Sequence, residues 1–468
     1  MNSQAIMTPY PEYKATNLPW LPQIPAHWAL VRNKNVLKEQ KDTVGKYSSQ
    51  YTLLSLTLSG IIPRDMENCK GKFPAEFDNY KIVRCSDIVF CLFDIDETPR
   101  AVGLSGYSGM ITGAYDVFSI TNVNPRFLYY YYLNIDNQKA LKPYYTGLRK
   151  VVNIARFLSL QFPIPSVAEQ EQIVRYLDSM TAKINKLIRA KKKQIALLQE
   201  QKQAIINQAV TKGLNPNAEM KDSGIDWLGQ IPAHWKVNKI FRLFNKIGSG
   251  TTPPNELNEF YNNGTIPWVN SGDLYGIEKE IKNVQKKVTV RALEKFTTLR
   301  VYPENTIIIA MYGASIGNMG ITQFPSCCNQ ACCCLATPQK ELIIDFAYYV
   351  LLGCKKRWIE QSNGGGQSNV NQDVIKQTWV AFPAIAEQNE IVYALSKRLQ
   401  KYKFCLEKLR KEINILLEYK NSLIASVVTG QVDVRNIQVE DFDPADLISE
   451  TDDDPAENDD QLQEESEE

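Results

Sequence analysis

"WLPQIPAHW" occupies residues 20–28 and "WLGQIPAHW" residues 227–235 of a 468-residue chain. Eight of nine positions are identical, and the copies lie 207 residues apart. The chain has two histidines, His27 and His234, one in each copy. A second repeated stretch follows. "VAEQEQIVRYL" starts at Val167 and "IAEQNEIVYAL" at Ile385, an offset of 218 that persists for over 40 residues. Lys202 then matches Lys420, and "AVT" (209–211) matches "VVT" (427–429). The order is I-P-x-H-W motif, variable region, helical block, and then the same again, with a second variable region 11 residues longer. Internal repetition sets the architecture before any local feature does.

The helical blocks carry a 3–4 apolar period. In the second block it runs Leu399, Tyr402, Leu406, Leu409, Ile413, Leu416, Leu423 and Val427, with Lys420 filling the one gap. In the first it runs Ile173, Leu177, Met180, Ile184, Ile188, Ile195, Leu198, Ile205 and Ala209. That is an a/d seam, with the four-residue step at 184–188 reading as a stutter. Neither block holds Pro or Gly before Gly213 and Gly430. The pattern predicts two helices of ~43 residues each, paired antiparallel about a pseudo-twofold. Lys202 and Lys420 read as snorkelling residues, or as a buried register device.

The variable regions lack this period. "YTLLSLTL" (51–58), "DIVFCLF" (87–93) and "AYDVFSI" (114–120) read as strands in the first, and "TIIIAMYG" (306–313) and "GNMGIT" (317–322) in the second. Short helices are expected around 126–141 and 344–360, giving an α+β class. Of ten cysteines, five crowd into "CCNQACCC" (327–334). Adjacent thiols face opposite sides of a strand and lack zinc-ligand spacing, so they read as small buried hydrophobes. No apolar run approaches the ~18 residues of a membrane helix, and the start does not read as a signal peptide. A cytoplasmic protein is expected.

The formal charge of +1 hides a division. Residues 440–468 carry 15 acidic side chains and no basic one, which leaves 53 basic against 37 acidic in the rest, or +16. A basic body suits a nucleic-acid partner. The tail reads as a disordered solubility tail, or as an internal mimic of DNA charge that discourages non-specific binding.

Two variable domains alternating with two repeated long helices, each domain opened by I-P-x-H-W and closed by P-x-x-x-E-Q, resemble one family. It is the DNA-specificity subunit of Type I restriction–modification enzymes. The resemblance covers the chain except the acidic tail. The two openings differ, "KATNLPWLP" against "KDSGIDWLG", so their first turns are expected to differ. The resemblance implies a first target-recognition domain at 1–163, a first conserved helix at 164–213, a second recognition domain at 214–382 and a second helix at 383–437, and composition leaves a disordered acidic tail at 438–468. It further implies double-stranded DNA, two methyltransferase subunits and motor/nuclease subunits as partners. S-adenosylmethionine, ATP and Mg2+ would serve other subunits, with no cofactor, metal or catalysis in this chain.

Base reading needs amides, carboxylates and guanidinium groups at a rigid edge, and phosphate contacts need cations and hydroxyls. The candidates in the first domain are Lys70, Lys72, Arg100, Tyr107, Arg149 and Lys150. Those in the second are Ser249, Thr251, Thr252, Asn270, Ser271, Asp273, Tyr312, Gln367, Ser368 and Asn369. The domains differ in side chains, so two different half-sites are expected. No G-x-x-x-x-G-K-[ST] motif is present, so no motor ATPase is expected in this chain, and the missing N/D-P-P-Y/F disfavours a fused or solitary adenine methyltransferase. His27 and His234 read as packing or hydrogen-bonding residues of a joint between each recognition domain and the helical core. The competing reading is a coiled-coil adaptor that binds protein and not DNA.

Overall fold

Each I-P-x-H-W motif folds as the end of one hairpin and the start of a ribbon. Tyr13–Leu18 pairs antiparallel with Leu21–Pro25, and Met220–Asp222 with Gln230–Pro232. The turns between them differ, since Gly224 and Gly229 take positive φ in the second hairpin only. Directly after each tryptophan, Ala29–Arg32 pairs with Gln161–Ile164, and Lys236–Lys239 with Trp379–Phe382. These ribbons bring the first and last segments of each variable region together. The computed structural model describes residues 8–64, 76–147, 150–254, 257–362 and 369–447.

The chain divides into two compact units, Met1–Lys193 with Leu409–Glu468, and Gln194–Lys408. The first holds a four-stranded antiparallel sheet of β1 (Leu37–Gln40), β2 (Ile88–Phe90), β3 (Val102–Leu104) and β4 (Asp116–Ile120), in the order β1-β4-β2-β3. Helix α1 (Pro125–Asn137) follows it. Its Asn124 N-cap accepts from the Arg126 and Phe127 N–H groups, and Pro125 stands at N1, where no amide hydrogen is needed. Helix α2 (Ile154–Ser159) and the long α3 (Val167–Lys212) complete the series.

The second unit holds β5 (Phe244–Gly248), β6 (Glu280–Ile281), β7 (Ile307–Ala310), β8 (Met319–Thr322) and β9 (Cys332–Pro338), in the order β5-β9-β7-β8-β6. Helices α4 (Ile344–Glu360), α5 (Gln372–Gln377) and the long α6 (Ile385–Val428) follow. The fold is thus mixed α+β with two long helices of 46 and 44 residues. Every apolar seam position named above is buried or half-buried. No helix among the described residues is long and apolar enough to cross a membrane.

The cysteines pack by strand alternation. Cys333 points into the core shared with Ile307 and Trp358, while Cys332 and Cys334 join Val269 and Ile308 on the other face. Burial pushes the Cys327 and Cys333 thiols up to about 12, so they stay protonated.

The two matched lysines part ways. Lys420 is largely enclosed and donates to Asn185 Oδ1 (3.2 Å). Lys202 lines an open groove with Tyr393, Lys397 and Lys403.

Candidate nucleic-acid interface and the joints that hold it

The two repeated motifs bind each other. In the first unit Glu169, in the first turn of α3, accepts from the Trp28 indole N–H (3.0 Å) and the Tyr10 hydroxyl (2.8 Å) at Oε1, and from His27 Nε2 (2.9 Å) at Oε2. In the second unit Glu387, in the first turn of α6, accepts from Trp235 (3.0 Å) and His234 Nε2 (2.7 Å). A carboxylate belongs there for two reasons: it meets the positive end of the helix dipole, and it satisfies indole donors that burial would otherwise leave unpaired. Trp28 and Trp235 are both essentially fully buried. Burial and the Glu169 carboxylate together raise the Tyr10 pKa, so the phenol stays a donor.

The neighbouring glutamine completes each joint. Gln170 Nε2 donates to the Pro165 carbonyl (2.9 Å), and its Oε1 accepts the Asn124 N–H (2.8 Å) at the start of α1. Gln388 does the same with the Pro383 carbonyl (2.9 Å) and the Ile343 N–H (3.0 Å) at the start of α4. The E-Q pair therefore fastens the I-P-x-H-W segment with one side chain and the domain helix with the next. The glycines that end the long helices close the arrangement. Gly430 takes φ +72°, and a Cβ there would lie 2.3 Å from Pro25 Cδ. Gly213 takes φ +73° against Trp235 and Glu387. In each unit one I-P-x-H-W segment meets the start of one long helix and the end of the other.

In the second unit several candidate residues converge on one end of the sheet, where β5 and β7 finish and β9 begins. Backbone bonds stitch its loops: the Gly250 N–H to Asn329 O (3.3 Å), the Asn329 N–H to Val269 O (3.1 Å), the Met311 N–H to Ala331 O (2.8 Å) and the Val370 N–H to Met311 O (2.8 Å). Ser249, Thr251 and Thr252 lead out of β5. Asn270, Ser271 and Asp273 form a turn held by the Asn270 N–H on Asp273 Oδ2 (2.8 Å). Tyr312 is 42% exposed and bridges Asn369. The rim is a row of exposed and half-buried amides and hydroxyls on backbone fixed by strands, suited to hydrogen bonds with base edges and phosphates. Asn329 and Gln330 also stand on it, Gln330 accepting from Thr252 Oγ1 (2.6 Å). This pair is absent from the candidates drawn from sequence because it sits among cysteines, yet "NQ" between two buried strands is itself a loop signal.

The first unit is less convergent. Tyr107 is 46% exposed at the turn after β3, where the Ser105 hydroxyl donates to its carbonyl (2.7 Å). Arg100 turns inward instead of outward. It pairs with buried Asp136 (3.1 Å) and donates to Asn137 Oδ1 (3.0 Å), so its guanidinium is engaged within the protein. Lys150 is held by Glu97, with Asp96 at 3.6 Å. The loop bearing Lys150 and the loop bearing Asn369 enter their units alike, since the Val152 N–H bonds to Leu92 O (2.7 Å) as Val370 does to Met311. Lys70, Lys72, Arg149, Gln367 and Ser368 lie outside the described residues.

Comparison with known proteins agrees with this geometry. The family described as "Type I restriction modification DNA specificity domain" matches residues 108–197 and 232–416. A protein of Methanocaldococcus jannaschii named a putative type I restriction enzyme MjaX specificity subunit is 23% identical over 440 residues, which cover 88% of this chain and 95% of that protein. The EcoBI specificity subunit of Escherichia coli is 25% identical over 284 residues, 57% of this chain and 56% of that one. Among solved structures, a chain from work on complex assembly and conformational transition of the type I R-M system superposes with a TM-score of 0.59 at 13% identity, covering 86% of this chain and 98% of that one.

Proposed function

Because the chain belongs to the Type I restriction–modification DNA specificity family, we propose that it is the subunit that chooses the DNA target of such a complex. Each recognition domain reads one half of a bipartite, asymmetric duplex site. The observation that carries this reading is the rim of exposed Thr252, Tyr312 and Asn369 beside half-buried Asn270 on the rigid end of the second sheet, in a chain whose body is basic. We read the two long helices as an antiparallel coiled coil that sets the unread spacer. The meeting of one helix start with the other helix end at each I-P-x-H-W segment supports this, as do Lys191 with Glu412 (2.6 Å) and Lys420 with Asn185.

The helices also offer apolar side chains to partners. Ile415 (62% exposed) on α6 and Leu187 (51%) on α3 stand out in the first unit, and Phe404 (69%) in the second. Methyltransferase subunits are the proposed occupants, joined by motor/nuclease subunits in a cytoplasmic complex. Catalysis, S-adenosylmethionine, ATP and Mg2+ belong in this reading to those subunits. No observation on the molecule favours the adaptor reading.

The test is co-expression with a Type I modification methyltransferase and sequencing of adenine methylation across the genome. A split motif with two dissimilar halves is expected. Absence of both methylation and any protein–DNA complex would overturn the reading.

A further inference from the structure

The acidic C-terminal region starts as a fastened strap. Residues 434–447 run along α3, on side chains that donate to the strap's own backbone. Gln172 Nε2 donates to the carbonyls of Val434 (2.9 Å) and Ile437 (2.8 Å), Ser179 Oγ to that of Glu440 (3.0 Å), and Asn185 Nδ2 to those of Asp446 and Leu447 (3.1 Å each). Two carboxylates add charge to this frame. Glu440 pairs with Lys183 (2.6 Å), and Asp446 pairs with Arg189, with Lys186 at 4.0 Å. Residues 438–447, expected to be disordered from composition, are thus hydrogen-bonded to a helix.

We propose that the α3 face bearing Lys183, Lys186 and Arg189 is a second binding surface for duplex DNA phosphates, held closed by the chain's own acidic segment. Six cations fall in the eleven residues 183–193. Lysine, arginine, amide and hydroxyl donors are those that hold phosphate oxygens, and the strap presents carboxylates and carbonyls to that same set. The outer charged contact is exchangeable, while Arg189 and Asp446 are more enclosed, at 24% and 17% side-chain exposure. Lys183 and Glu440 side chains are 44% and 73% exposed, and a pair so exposed is weak because water and salt screen it. DNA competes with an added gain, the release of its counterions. The strap holds off non-specific duplex until an assembled site outbids the segment. This inference rests on the DNA-binding reading above.

The test uses the full chain and a short random-sequence duplex, titrated across salt concentrations. The variant E440Q/D446N keeps the backbone bonds of the strap and removes its ion pairs. It is expected to bind about tenfold tighter at low salt, with a log–log salt slope steeper by about two, one for each phosphate taken up. Adding K183Q/R189Q to that background should return both values to those of the unaltered chain. Unchanged affinity and slope in E440Q/D446N would overturn the proposal, as would a gain that survives K183Q/R189Q. A normal methylation motif alongside either result sinks this inference alone, whereas loss of any motif sinks the reading beneath it.

Discussion

Glu169 takes three side-chain donors within 3.0 Å, two of them from an I-P-x-H-W segment 141 and 142 residues away in the chain. Removing it leaves a buried indole and a largely buried phenol without acceptors. Glu169→Ala is therefore expected to lower unfolding stability by about 2–4 kcal/mol in chemical denaturation. Glu387 keeps two donors and is 29% exposed, so Glu387→Ala should cost about half as much. The histidines sit nearer water, His27 at 44% and His234 at 59% side-chain exposure. The double variant His27→Gln with His234→Gln should lose about 1 kcal/mol or less and leave the methylation motif unchanged, as sequencing of modified DNA would record. The sequence disclosed both motifs and their equal number, but it could not show that one binds the other across so many residues. Arg100 shows the opposite limit. An arginine in a basic chain looks the same whether it faces DNA or, as here, a buried aspartate.

At the scale of elements, the long helices were legible because a 3–4 apolar period repeats over many turns. The central strands were legible as short apolar runs between turns. The ribbons pairing Ala29–Arg32 with Gln161–Ile164 and Lys236–Lys239 with Trp379–Phe382 were not, because each joins segments separated by a whole domain. Composition also missed the strap, whose backbone is held by side-chain donors on α3 in addition to the ion pairs of its own Glu440 and Asp446. Lys420 offers a test of helix packing. Burial lowers its pKa to about 8, below the ordinary lysine value of ~10.4. The unfolded chain thus binds more protons between these values, so this group makes stability rise with pH from about 8 to about 10.5 and leaves a penalty below that window. Lys420→Met should remove this rise in denaturation curves taken at stepped pH. An identical pH dependence in the variant would place Lys420 in water.

For the whole molecule, the sequence reads as a linear series of domain, helix, domain and helix. The compact units group the chain differently, each combining one recognition domain with part of both long helices. A stretch of sequence cannot disclose that grouping, since it arises where a helix start and a distant helix end meet one tryptophan. Each unit nevertheless has its own tryptophan–glutamate joint, its own sheet and its own exposed loops, so each is expected to read DNA independently of the other. The most direct measurement of the central claim is to replace residues 36–160 with the matching region of a relative, co-express the chimaera with the partner methyltransferase, and sequence the methylated genome. The account predicts a motif with one half changed and the other half and the spacer retained. A motif unchanged in both halves, or changed in both, would contradict it.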